Sequence, residues 1–314
     1  MDLPEYARLP VKPGAPPGSA WDVWGDADQV GTINLLTPDR IVAAAQLIRR
    51  GAVFNLDLPL HLPDPPLVAV RKPYRHTIYD LRNGNARDDY LDSFYLQASS
   101  QWDALRHMRH PEHGFYNGVD PADIHSGPGA RLGIEHWAER GIVGRAVLCD
   151  VGRYVEARQG QVIGGDRFEI SPDLLDATLA DQGVALQTGD IFLLRTGALA
   201  HWLQADATQR AALYENLRQP GLEPSDRMLA WIWDHHLAAI AADCVAVEAW
   251  PPDPDNFFHF KVIPLLDVAL GEIWNLEGLA HDCSADGVYE AFFASKPLKL
   301  RGGGVSPPNA MAIK

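Results

Sequence analysis

The chain has 314 residues, with 27 Lys and Arg against 41 Asp and Glu, for a formal net charge of −14. That length allows one large domain or two small ones, and 46% hydrophobic residues can build a sizeable core. The acidic balance excludes the basic footprint of a nucleic-acid binder.

Residues 1–20 hold five prolines and few large apolar side chains, so they read as an extended arm that lies across a neighbouring surface. The start lacks an apolar run behind basic residues, so no signal peptide is expected. Apolar stretches such as Leu237–Ala242 are too short to span a membrane, and a cytoplasmic location is expected. Thr37, Pro38 and Asp39 open a helix by capping, by a fixed φ and by charge against the dipole; Gly51 can end it. Val53–Leu58 alternates and reads as a strand with one wet face. A proline-rich loop follows over 59–66, with short strands expected at His76–Leu81 and Ser93–Gln97.

Further on, Gly133–Arg140 reads as a helix closed by Gly141, Arg145–Val151 as a buried strand, and Pro172–Gln182 as a helix ended by Gly183. Asp190–Arg195 is a buried strand, Ala198–Arg218 one broken helix or two, Pro224–His235 a helix and Ala238–Val247 a strand. Phe260–Leu270 carries helical spacing limited by Pro264. Leu276–Cys283 reads as a short helix and Val288–Ala294 as the final strand. The alternation predicts one α/β domain over 21–314 with a mixed sheet. Cys149, Cys244 and Cys283 are widely spaced and form no CxxC, which argues against a disulfide framework or zinc knuckle.

No phosphate-binding glycine loop or GxSxG elbow is present. The densest polar stretch is 97–107, which combines Gln97, Gln101, Trp102, Asp103 and His107. On composition alone it reads as a strand-end loop with hydrogen-bonding side chains. His259, beside Phe257 and Phe258, and Glu272, after an apolar segment, are weak signals individually.

The order of several pieces resembles the cyclase family, which includes metal-dependent kynurenine formamidases and isatin hydrolases. The pieces are Trp24-Gly25, Gly31–Thr37, Phe115–Gly118, Gly133–Trp137, Gly189–Gly197, Ala242–Glu248, His259–Leu276 and Asn309–Lys314. The family signature HxGTHxDxPxH falls on residues 97–107. Asp103 and His107 match, while Gln97 and Gln101 replace the two early histidines. The resemblance implies a swivelling β/α/β fold, a homodimer or homotetramer and a small-molecule substrate. It also implies a zinc or manganese ion held by the signature histidines and Asp, with a second position completed here by Asp103, His259 and Glu272. The final signature histidine, His107, is implied as acid/base.

A glutamine carbonyl is a weak, hard ligand beside imidazole, so two cofactor states stay open: none, or one divalent ion. Without a metal, Gln97 and Gln101 would donate to a polarised carbonyl. The expected activity is hydrolysis of an amide, lactam, ester or lactone in a small cyclic or aromatic molecule. A polyketide-type cyclase or dehydratase and a non-catalytic binding protein are the alternatives. Trp102, inside the signature, Tyr116 and Phe258 are the candidate substrate-binding residues.

Overall fold

The computed structural model describes residues 3–314. In chain order its strands are β1 (Val53–Asn55), β2 (Arg75–Leu81), β3 (Ala86–Asp92), β4 (Gln101–Asp103), β5 (Ile142–Asp150), β6 (Glu169–Ile170) and β7 (Ile191–Arg195). There follow β8 (Gly221–Leu222), β9 (Ala239–Ala242), β10 (Ala269–Glu272), β11 (Glu290–Ser295), β12 (Val305–Ser306) and β13 (Ala310–Ile313). The helices are α1 (Pro38–Ala45), α2 (Glu135–Arg140), α3 (Val151–Gln159), α4 (Pro172–Gln182), α5 (Ala198–Gln204), α6 (Ala207–Glu215), α7 (Asp226–Asp234), α8 (His259–Val262) and α9 (Glu277–Asp286).

Nine strands form one mixed sheet in the order β1-β13-β11-β5-β7-β9-β10-β4-β12. Its centre, β5-β7-β9-β10, is parallel, and antiparallel strands flank it on both sides. The central strands read as continuous apolar runs because both faces are covered. Ala146, Leu148 and Leu193 enter one core, while Val147, Cys149, Phe192, Leu194 and Ile240 enter the core on the opposite face. This is the expected α/β domain with a mixed sheet. Cys149, Cys244 and Cys283 are all free and buried.

Helix ends follow their local signals. Ser171 accepts from the Leu174 N–H at the start of α4, and Gly183 closes it with φ 70°. The segment 260–270 departs from its expected helix. Only α8 is helical there; the chain turns through Pro264 and enters β10, a strand buried on both faces. Ser93–Gln97 is not a strand; the extended run lies earlier, in β3, which pairs with β2 as an exposed hairpin. β11 is not the last strand either, since β12 and β13 follow. The proline-rich N-terminal segment runs along the body from residue 3; its first two residues lie outside the described ones. The Trp233 indole donates to the Pro4 carbonyl, the Tyr6 N–H to Asp234, and the Ala20 N–H to the Leu265 carbonyl.

Candidate active site

The register between β4 and β10 builds the site. Gln101 stands opposite Glu272 and Asp103 opposite Leu270, so Gln101, Asp103 and Glu272 share one face. Gly271, between Leu270 and Glu272 on β10, is packed tightly: a Cβ there would meet Ala241 Cβ of β9 and Trp274 Nε1 at 2.8 Å. His259, the first residue of α8, projects into the same place. Its Nε2 lies 3.0 Å from Glu272 Oε1 and 3.8 Å from Asp103 Oδ2. His107 closes the group, with Nε2 3.7 Å from Asp103 Oδ2. Segments more than 150 residues apart in sequence therefore meet at one point. The side chains of Asp103, His259 and Glu272 are at most 5% exposed, whereas that of His107 is 21% exposed.

Each glutamine amide is turned onto a carboxylate. Gln97 Nε2 donates to Asp103 Oδ1 at 3.1 Å and lies 3.5 Å from His107 Nε2. Gln101 Nε2 donates to Glu272 Oε2. Each amide thus commits a donor to a buried acid, and Gln101 is wholly buried while Gln97 is part-buried.

Two of the three expected substrate residues are also relocated. Trp102 points to the opposite face of β4, wedged against Trp137 and Trp274, with its indole donating to Ser295. It is a core residue because strand alternation turns it away from Gln101 and Asp103. Phe258 is packed in the core, and Phe257 instead stacks on His259, with centroids 4.7 Å apart and planes 11° apart. Tyr116 is buried and donates its hydroxyl to Asp28 Oδ2 at 3.2 Å, which gives it a structural partner.

Two charged residues complete the site. Glu248, fully buried, places Oε2 2.7 Å from His259 Nδ1. Arg71 donates to the Gln97 carbonyl at 2.6 Å and is close enough to Asp103, His107 and Glu272 to act on all three.

Burial works against a charged His259, but Glu248, Asp103 and Glu272 outweigh it and hold its pKa well above the usual imidazole value. Burial, reinforced by the Asp103 charge, pushes Glu272 up to about 7. Burial also raises Asp103, yet the nearby His107 and His259 bring it below the ordinary carboxylate value. Burial lowers His107, against the pull of Asp103.

Asp103, His259 and Glu272 each offer one ligand atom, all within 4.8 Å of one another. Asp103 Oδ2 and Gln101 Oε1 are buried without a hydrogen-bond partner. Two carboxylates and one imidazole around an unsatisfied oxygen fit one divalent ion of the zinc or manganese kind. The imidazoles of the other signature position are missing, and its donor set does not fit such an ion equally well.

A family model described as "Putative cyclase" matches residues 32–249. A crystal structure of a novel cyclase is 36% identical to the chain, with a TM-score of 0.80, and the match covers 94% of this chain and 99% of that one. Isatin hydrolase A from Labrenzia aggregata, bound to benzyl benzoate, shares the fold at 17% identity and a TM-score of 0.56, covering 87% and 97%. Isatin hydrolase A from Ralstonia solanacearum does so at 16% and 0.53, covering 88% and 98%. No curated protein matches the chain in sequence. No helix among the described residues is long and apolar enough to cross a membrane.

Proposed function

Because the chain belongs to the cyclase family, we propose that it is a hydrolase of an acyl C–N or C–O bond in a small cyclic or aromatic molecule. The observation that carries this reading is the convergence of Asp103, His259 and Glu272 behind a partly exposed His107. Water attacks the acyl carbon while His107 takes its proton. The bond to the leaving nitrogen or oxygen then breaks, and His107 returns the proton to that atom. Asp103 stabilises the imidazolium that forms between the two steps. Asp103, His259 and Glu272 would hold a divalent ion, whose chemistry when bound is Lewis-acid polarisation of oxygen. The fold relatives named isatin hydrolases support hydrolysis over cyclisation. A homodimer or homotetramer is part of the same reading, checked by light scattering at micromolar concentration.

The test is a panel of aromatic amides, lactams and lactones read by mass, before and after dialysis against EDTA and on return of manganese or zinc. A product heavier by one water supports the reading, and His107→Ala should lower that rate about 10²–10⁴-fold while the fold persists. A product of unchanged mass, or one that has lost water, would point to cyclisation. Binding without turnover in every metal state would make this a binding protein.

A further inference from the structure

Arg71 reaches the active site from the proline-rich segment between β1 and β2. Its own N–H closes a turn on the Val68 carbonyl at 2.9 Å, and its Nη1 donates to the Gln97 carbonyl at 2.6 Å. The side chain of the same glutamine bonds Asp103 at 3.1 Å and lies 3.5 Å from His107 Nε2. One guanidinium and one glutamine thus form a continuous link to the acid and the base of the centre.

The link also carries charge. Asp103 and Glu272 approach His259 closely and Arg71 does not, yet the Arg71 charge acts on Asp103, Glu272 and His107 together. Arg71 is half-buried, so salt screens it less than an arginine on the surface. Three acids, Asp103, Glu248 and Glu272, therefore face two cations, His259 and Arg71. The two cations are not alike. His259 can give up the proton on Nε2 and ligate an ion with the lone pair. A guanidinium keeps its charge and has no lone pair to offer. Arg71 therefore helps to neutralise the acids without ligating anything, and it repels whatever divalent ion they hold.

We infer that Arg71 is a positioning residue of this site with two effects: through Gln97 it holds Asp103 and His107 together, and its fixed charge limits the affinity of Asp103, His259 and Glu272 for a divalent ion. The inference rests on the metal-binding part of the hydrolase reading and deepens it. A purely mechanical strut would also bond the Gln97 carbonyl, but it would leave ion affinity the same or better held by the intact arginine.

Zinc is the probe. The full-length protein is stripped with EDTA, and zinc uptake is measured by equilibrium dialysis against a competing chelator, with folding checked by circular dichroism. Arg71→Gln should tighten zinc at least about tenfold, because one of the two cations facing the acids is gone. Arg71→Met, neutral and of similar length, carries the same expectation if the glutamine variant fails to fold. Arg71→Lys keeps the charge and loses the planar fork, so its zinc affinity should stay within about threefold of the parent's. Unchanged or weaker zinc binding by the neutral variants, equal tightening by Arg71→Lys, or no zinc uptake by any form would overturn the inference. In turnover, Arg71→Gln and Arg71→Lys should both lower kcat more than they raise KM, since each loosens the Gln97 contact with Asp103 and His107. A kcat equal to the parent's in both would overturn the positioning effect. Zinc uptake that follows this pattern in a protein that hydrolyses nothing would refute the hydrolase reading and keep the inference on ion affinity. Hydrolysis by a protein whose zinc affinity is indifferent to Arg71 would do the reverse.

Discussion

His259→Ala removes the one cation enclosed by three buried carboxylates. In the intact protein Nδ1 lies 2.7 Å from Glu248, and Nε2 lies 3.0 Å from Glu272 and 3.8 Å from Asp103. Breaking a buried ion pair from one side leaves an uncompensated charge and costs about 3–5 kcal/mol. At about 1.5 °C per kcal/mol for a chain of 314 residues, the melting temperature should fall by roughly 4–8 °C. The measurement is urea unfolding by circular dichroism, with scanning fluorimetry, on protein dialysed against EDTA. Part of the loss is the ring stacked on Phe257, so the variant is combined with Glu248→Gln in a double-mutant cycle. Both arms of the cycle lose the stacking, and the difference isolates the charge. With Glu248 neutralised, His259→Ala should cost about 1–3 kcal/mol less than it does alone. A loss below ~1 kcal/mol for the single variant, or strict additivity in the cycle, would refute the idea that this imidazole neutralises the cluster.

Two other predictions concern metal uptake and pH. Gln97→His with Gln101→His exchanges amides now donating to Asp103 and Glu272 for imidazole lone pairs, and should tighten zinc at least about tenfold by equilibrium dialysis and elemental analysis; unchanged uptake would mean these positions cannot reach an ion. Burial pushes Asp57 up to about 6 from an ordinary value of 3.8, although the Ala310 N–H donates to it at 3.0 Å. Between those values the native chain holds a proton that the unfolded chain has released, so stability falls as pH rises through this window, by at most about 3 kcal/mol. Asp57→Asn should flatten that slope in urea melts at pH 4.5 and 7 and be the more stable form at pH 7; an unaltered slope would assign it to other groups.

What could be read from the chain depended on how local the signal was. The bounds of α4 follow from Pro172 and Gly183, because capping and backbone conformation are decided within a few residues. The segment 260–270 misled because a strand buried on both faces has no polar alternation to distinguish it from an apolar helix. Asp103 and His107 were found through the signature register, and His259 and Glu272 through segment order. Their common location is a tertiary fact. Arg71 lies in a proline-rich stretch without periodicity, and Glu248 sits in an apolar run where a lone acid signals little. Trp102 could have been placed: a strand carrying Gln101 and Asp103 on one face must turn the residue between them to the other.

Gly271 is hemmed in by Ala241 of β9 and by Trp274. Neither neighbour of this glycine leaves room for a methyl group, so the plate that carries Gln101, Asp103 and Glu272 has almost no freedom to be retuned. Residues 59–95 are built differently. They leave the large sheet after β1, form their own two-stranded hairpin and rejoin it only at Gln101. Away from Arg71, which bonds the Gln97 carbonyl and whose charge reaches Asp103 and Glu272, insertions and deletions in that excursion need not disturb the plate. A laboratory search for new substrates should therefore randomise the excursion around a fixed Arg71 and leave the plate alone.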